Sequence, residues 1–218
     1  MASVIEAFSI IVAAISVIYG VNAWRREFTG KRRIELAESV LAMFYEAEDA
    51  IRALRSPASH SKEADTRERS ENERQEEAQA RDRAFIVFER YRLREDLFAR
   101  LQAAKYQFMA AFGRDSAESF DEISAVRDRI IIAAEELGLR LWPRHFRQAS
   151  TGAESEADRN RVEREEAIIL GRNDGNDEIA ERVRKAVHRI EEIAKHEITT
   201  RAGYFDRLKN NLTKRIYV

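Results

Sequence analysis

Hydrophobic positions along the chain fall into two regimes. From Ala7 to Ala23 the run AFSIIVAAISVIYGVNA contains seventeen residues and no charge. Beyond it, apolar residues recur at helical period in a heavily charged background. From about Lys31 to Arg55, the positions Leu36, Ala37, Val40, Leu41, Phe44, Ala47, Ile51 and Leu54 mark one wide apolar face. That face is too wide for a two-stranded seam and predicts packing on at least two other helices. Ser56-Pro57 ends the helix. Over 56–80 the apolar period vanishes among closely spaced charges, which reads as a charged loop or frayed helix.

A second helix is expected from about Arg81 to Phe112, with Ile86, Leu93, Leu97, Leu101, Ala104, Phe108 and Ala111 as its stripe and Gly113 as its stop. Ser119-Phe120-Asp121-Glu122 has the form of a capping box opening a third helix that ends near Trp142-Pro143. A short helix follows over about Glu154–Leu170. Asn173-Asp174-Gly175-Asn176-Asp177 then forms a turn with a cap at its end. The last helix carries Ile179, Val183, Ala186, Ile190, Ile193, Phe205, Leu208, Leu212 and Ile216, interrupted by Glu197 and Arg201, with Gly203 as a kink or break. Without strand candidates, the pattern predicts an all-α chain: one N-terminal transmembrane helix followed by an antiparallel bundle of three to four long helices. The expected division is 1–27 for the anchor and its interface and 28–218 for the bundle.

Seventeen helical residues span about 26 Å, near the lower limit for crossing a bilayer. Trp24, Arg25 and Arg26, with Lys31, Arg32 and Arg33 beyond them, form a boundary of the kind found at a membrane–water interface. No Lys or Arg precedes the run, so the n-region of a cleaved signal peptide is missing. By the positive-inside rule the N-terminus faces out and the body faces the cytoplasm, as a single-pass protein of a bacterial inner membrane. Ser9, Ala13, Ser16 and Gly20 recur at steps of three and four, a stripe that permits close packing against another membrane helix.

Composition sharpens this picture. Charged residues make up 35% of 218, yet the net charge is −1, so the surface mixes signs densely. Residues 1–33 carry +3 and residues 195–218 carry +4, leaving −8 for the middle, a balance that disfavours a nucleic-acid binder. The absence of cysteine agrees with a reducing compartment and excludes thiol chemistry. Eight glycines and two prolines suit long helices.

The runs WRREFTGKRRIELAESVLAMFYEAEDAIRALRSP and FARLQAAKYQFMAAFGRDSAESFDEI resemble a group of uncharacterised bacterial proteins with one N-terminal membrane helix and a helical cytoplasmic body. The resemblance spans roughly the first two-thirds of the chain. It implies a location and an architecture, and no activity or site residue.

Three clusters invite a chemical reading. His188, Glu192 and His196 share one helical face, but residues eight apart lie ~12 Å apart along the axis and cannot enclose one ion. Glu46, Glu48 and Asp49 flank an apolar face and read as helix surface without a facing partner. Trp142-Pro143-Arg144-His145-Phe146-Arg147 interleaves aromatic and basic residues, as a helix end or as an anion- or membrane-binding segment. There is no phosphate-cradling glycine loop and no nucleophile elbow. The expected function is therefore that of a membrane-tethered interaction or scaffold protein, needing no cofactor. Its expected partners are the lipid bilayer and a second copy or another membrane protein. The alternatives are a metal-dependent or other enzyme with a site inside the bundle, and a membrane-active effector.

Overall fold

The computed structural model describes residues 2–57, 66–151, 155–171 and 177–216, the side chains of 2–14, 18, 22, 23, 26, 149–151 and 201–216 excepted. Seven α-helices occupy these residues, without a strand among them: α1 (Ala2–Leu54), α2 (Gln75–Arg92), α3 (Glu95–Phe112), α4 (Ala117–Glu136), α5 (Trp142–Thr151), α6 (Glu156–Leu170) and α7 (Glu178–Ile216). The chain divides into two compact units, one of residues 1–39 with 192–218 and the other of residues 40–191.

The larger unit is an antiparallel helical bundle, and its polar contacts give the register of each pair. Gln102 bonds Ser124 and Lys105 pairs with Asp121, so α3 and α4 run oppositely. Glu122–Arg182 at 2.6 Å and Glu118–Arg189 at 2.6 Å do the same for α4 and α7. Inside, Phe44, Phe108 and Phe120 are fully enclosed, with Phe44 and Phe120 meeting edge to face at 4.9 Å between centroids. Burial of each such ring contributes about 1.5–3 kcal/mol before entropy is counted. The expected stripes on α1, α4 and α7 supply this core: Val40, Phe44, Ile51, Ile123, Ile130, Val183 and Ile190 are all buried.

Several boundaries differ from the expected ones, each for a local reason. The helix expected over 81–112 is two helices, broken at Leu93-Arg94, and Leu93 is exposed instead of buried. Basic Arg90 and Arg92 close α2 while acidic Glu95 and Asp96 open α3, so each end carries the charge its dipole favours. The capping box at Ser119–Glu122 does not form. A 3₁₀ turn over Arg114–Ser116 leads directly into α4 at Ala117, the Ser116 hydroxyl donates to the Gly113 carbonyl at 2.7 Å, and Ser119 is buried inside the helix. Trp142-Pro143 does not end the third helix either. The Trp142 N–H reaches back to the Leu137 carbonyl, a π-type bond closing the turn Leu137–Leu141, and α5 continues through Pro143. A proline in a regular helix would clash with the carbonyl four residues back; the wider turn absorbs it. Within that turn Gly138 is buried against α2, where a methyl group would lie 2.4 Å from the Cβ of Ala84. On α7, the helix passes through Gly203 without a break.

In the smaller unit, Gly30, Ala37 and Ala194 are buried, and Arg33 forks onto the buried Glu197 at 3.0 and 3.1 Å. Trp24 and Phe28 are exposed, stacked at 5.7 Å. Among the described residues no helix is long and apolar enough to cross a membrane, so the spanning helix expected over Ala7–Ala23 has no support here. Most of that run falls outside the described side chains.

Candidate functional site

In the larger unit a cleft of about 450 Å³ lies where the end of α1, the end of α6 and the start of α7 converge. Its floor is Arg55, the residue that follows the last apolar position of α1. The Arg55 side chain is buried and joins the end of α1 to two other helix ends at once. It donates to the α6 carbonyls of Ile168 at 2.7 Å and Ala167 at 3.1 Å, and forks onto both oxygens of Asp177 at 2.8 Å. Asp177 in turn accepts the Ala180 N–H at 3.1 Å as the N-cap of α7. Gly171, at φ +75°, turns the chain out of α6, and a side chain there would press on the Asp177 carboxylate at 3.2 Å. Burial pushes the Asp177 carboxyl up, but hydrogen bonds from Arg55 and from the α7 backbone outweigh it and hold the group below the ordinary aspartate range.

What the cleft can do chemically follows from these pairings. Arg52, on its rim, bonds Asp49 at 2.7 Å and Glu48 at 3.2 Å, and Arg184 pairs with Glu181. Each cation thus has a carboxylate beside it, and no acid or base is set apart from a neutralising partner. The cleft is a joint between helix ends.

A second clasp had no signal in the hydrophobic pattern. In the charged segment expected as a loop or frayed helix, the described residues from 66 on are pinned: Arg67 forks onto Glu73 at 2.7 and 3.0 Å and donates to Asp82 at 2.6 Å, while Arg81 also reaches Glu73 at 2.9 Å. The Glu73 side chain is only 3% exposed, which makes this a buried ionic cluster and not a solvated run. The hydrogen bonds from Arg67 hold the Glu73 carboxyl below its usual range against its own desolvation. Nearby, Arg90 donates to the Ala53 and Ser56 carbonyls at 3.1 and 2.7 Å, capping the end of α1.

The six interface residues do not share one role. Trp24, Arg25, Lys31 and Arg32 are exposed, with Arg32 over the Phe28 ring at 5.9 Å and Lys31 3.9 Å from Glu35. Arg33 is committed to Glu197, and the side chain of Arg26 is outside the described residues. Of the small stripe, Ser16 and Gly20 are exposed, whereas Ser9 and Ala13 lie outside the described side chains. His188, Glu192 and His196 are exposed on α7. Among the described residues no group of three or more His, Cys, Asp or Glu could hold a metal ion. Glu46, Glu48 and Asp49 pair with Arg100 and Arg52, and Tyr45 donates to Glu191 at 2.6 Å. Trp142 is buried with its indole N–H on Glu166 at 2.6 Å, and Arg83 lies over both the Trp142 and Phe146 rings. Of this aromatic and basic segment, Trp142 and Pro143 are buried, whereas Arg144 and Arg147 are exposed, Arg144 donating to Asp158 at 3.0 Å and Arg147 to the Pro143 carbonyl at 3.0 Å.

The fold and its joints define an all-helical bundle whose buried charges hold helix ends together. Compared with known proteins, the chain matches no family model, no curated protein and no solved structure.

Proposed function

We propose that this protein is a membrane-tethered helical interaction protein, anchored by its N-terminal run in a bacterial inner membrane with its body in the cytoplasm, and that it self-associates. The observation that carries the reading is the uncharged stretch Ala7–Ala23 followed at once by Trp24, Arg25 and Arg26, with Lys31 and Arg32 exposed beyond them. An apolar segment closed by an aromatic residue and a basic cluster is retained with its basic side inward. The mechanism is positional: confinement at a surface raises the effective concentration of a charged helical body for its partner.

Two measurements test the tether. Alkaline carbonate should leave the full-length protein in the membrane pellet, and protease added to intact spheroplasts should leave residues 28–218 undigested. Release into the wash, or digestion of the body from outside, overturns the reading.

A further inference from the structure

Past Glu197 the character of α7 changes. Over 201–216 the cations Arg201, Arg207, Lys209, Lys214 and Arg215 stand against one acid, Asp206, in a chain whose net charge is −1. Between them Phe205, Leu208, Leu212 and Ile216 recur at steps of three and four, an apolar line on a basic helix. The course of α7 says where this segment goes. In the larger unit α7 runs antiparallel to α1, Arg55 pairing with Asp177 and Tyr45 with Glu191. In the smaller unit the fork of Arg33 on Glu197 keeps that order. Beyond Glu197, α7 therefore heads toward the apolar run of α1 and continues for about 28 Å to Ile216. Trp24, the proposed boundary, lies only about 13 Å from Arg33 along α1. The two draw level near Asp206, with roughly ten residues of α7 to spare. Those residues do not simply coat α1. The line of α1 that meets α7 runs through Ala37, Arg33 and Gly30 and returns, three turns on, to Tyr19 and Ile15. Ala37 and Gly30 are buried, but Tyr19 is 73% and Ile15 48% exposed, so the cover on that line ends before it reaches them.

We propose that residues 204–216 are a second membrane contact: a basic amphipathic helix that leaves α1 level with Trp24 and lies along the inner leaflet, its apolar line in the acyl boundary and its cations on anionic phospholipid headgroups. Four large apolar residues disfavour water, and the cations bar the segment from following α1 into hydrocarbon; the interface suits both. Charge selects the kind of surface, since five cations against the single Asp206 favour an anionic leaflet over a zwitterionic one. Gly203 stands at the point of departure, where a helix changes course at low cost. The proposal rests on the tether to the extent that α1 is what brings this segment to the surface.

Because the chain has no cysteine, a single fluorophore can be placed at will. Full-length Leu212→Cys and Asn210→Cys variants, each labelled with environment-sensitive NBD, are reconstituted in vesicles of phosphatidylcholine alone or mixed with phosphatidylglycerol. With phosphatidylglycerol present, the probe at 212 should shift to the blue and be quenched by spin-labelled lipid. The probe at 210, on the opposite helix face, should be quenched by aqueous iodide instead. In phosphatidylcholine alone, lipid quenching at 212 should fall several-fold. Lys209→Gln, Lys214→Gln and Arg215→Gln together should lower the ratio of lipid-bound to free segment on the order of a hundredfold, with the helical circular dichroism unchanged. A blue-shifted probe at 212 that lipid quenchers do not reach would show the apolar line packed on protein, α1 or a second copy, and overturn the proposal. So would equal quenching at 210 and 212, or quenching indifferent to lipid charge. Flotation of the same samples reads the tether separately: failure to float with phosphatidylcholine alone removes the tether, whereas the second contact stands or falls with quenching on the phosphatidylglycerol vesicles.

Discussion

Arg55 ties helix ends of the larger unit together, because one planar fork satisfies two α6 carbonyls and the Asp177 cap of α7. Replacing it by methionine keeps the volume but strands a part-buried carboxylate and two helix-end acceptors. The expected loss is about 1.5–3 kcal/mol in urea unfolding of the detergent-solubilised full chain. Arg55→Lys should recover little of it, since an ammonium cannot span both oxygens and the carbonyls together. Asp177→Asn should cost less, because asparagine still caps α7. The pH response follows from the lowered Asp177 carboxyl. Its contribution is present above the unfolded aspartate value near ~3.9 and is lost as pH falls through the lower folded value. In Arg55→Met that part of the acid slope should flatten, and an unchanged slope would count against the assignment. Gly138 sets a second single-residue limit. Gly138→Ala forces a methyl group to 2.4 Å from the Ala84 Cβ and should cost about 1–3 kcal/mol, with Ala84→Gly recovering part of the loss in the double variant.

Among the helices, legibility tracked the source of stability. Where burial of apolar side chains builds an element, as with Val40, Phe44 and Ile51 on α1 or Ile179, Val183 and Ile190 on α7, the 3.6-residue period gives it away. The Asp177 cap was equally readable, since a turn ending in aspartate before an apolar stripe has one local meaning. Three features were not. The break at Leu93-Arg94 is written in charge order across RLRED, to which the apolar period is blind. The π-turn ahead of Pro143 answers a backbone clash that sequence places at a helix end. The Arg67–Glu73–Arg81 cluster and the Arg55 clasp join charged residues across elements, and a charge run read alone suggests only solvation. The cluster makes its own prediction. Glu73 has a carboxyl held below its usual range, so its contribution is complete above the unfolded glutamate value near ~4.3 and fades as pH drops through the lower folded value. Amide exchange over 66–82 should therefore quicken selectively at low pH, and Glu73→Gln should give the same quickening at neutral pH. Exchange that stays slow in Glu73→Gln would mean the ion pairs do not hold this segment.

For the whole molecule, the proposed tether divides the basic residues after the apolar run into two kinds of work, and the division can be measured. Arg25, Lys31 and Arg32 are exposed and have the placement of a topology signal, whereas Arg33 is tied by both nitrogens of its fork to the buried Glu197. If the chain is tethered as proposed, reversing Arg25, Lys31 and Arg32 to glutamate should impair the orientation, exposing the body to protease on the outer face in a share of molecules. Protection of amides over 30–37 should be unaltered in that variant. Arg33→Ala should do the opposite: orientation is kept, because Arg25, Arg26, Lys31 and Arg32 remain, while Glu197 is left buried without its fork. Exchange over 30–37 and 192–198 should then quicken by an amount equivalent to about 2 kcal/mol, the scale of charge-assisted hydrogen bonds. Arg33→Ala with Glu197→Ala should be milder than Arg33→Ala alone, since it removes the stranded carboxylate along with its partner. If the two sets of variants behaved alike, the basic cluster would be acting as one electrostatic patch, and the division between a membrane signal and a helix clasp would fail.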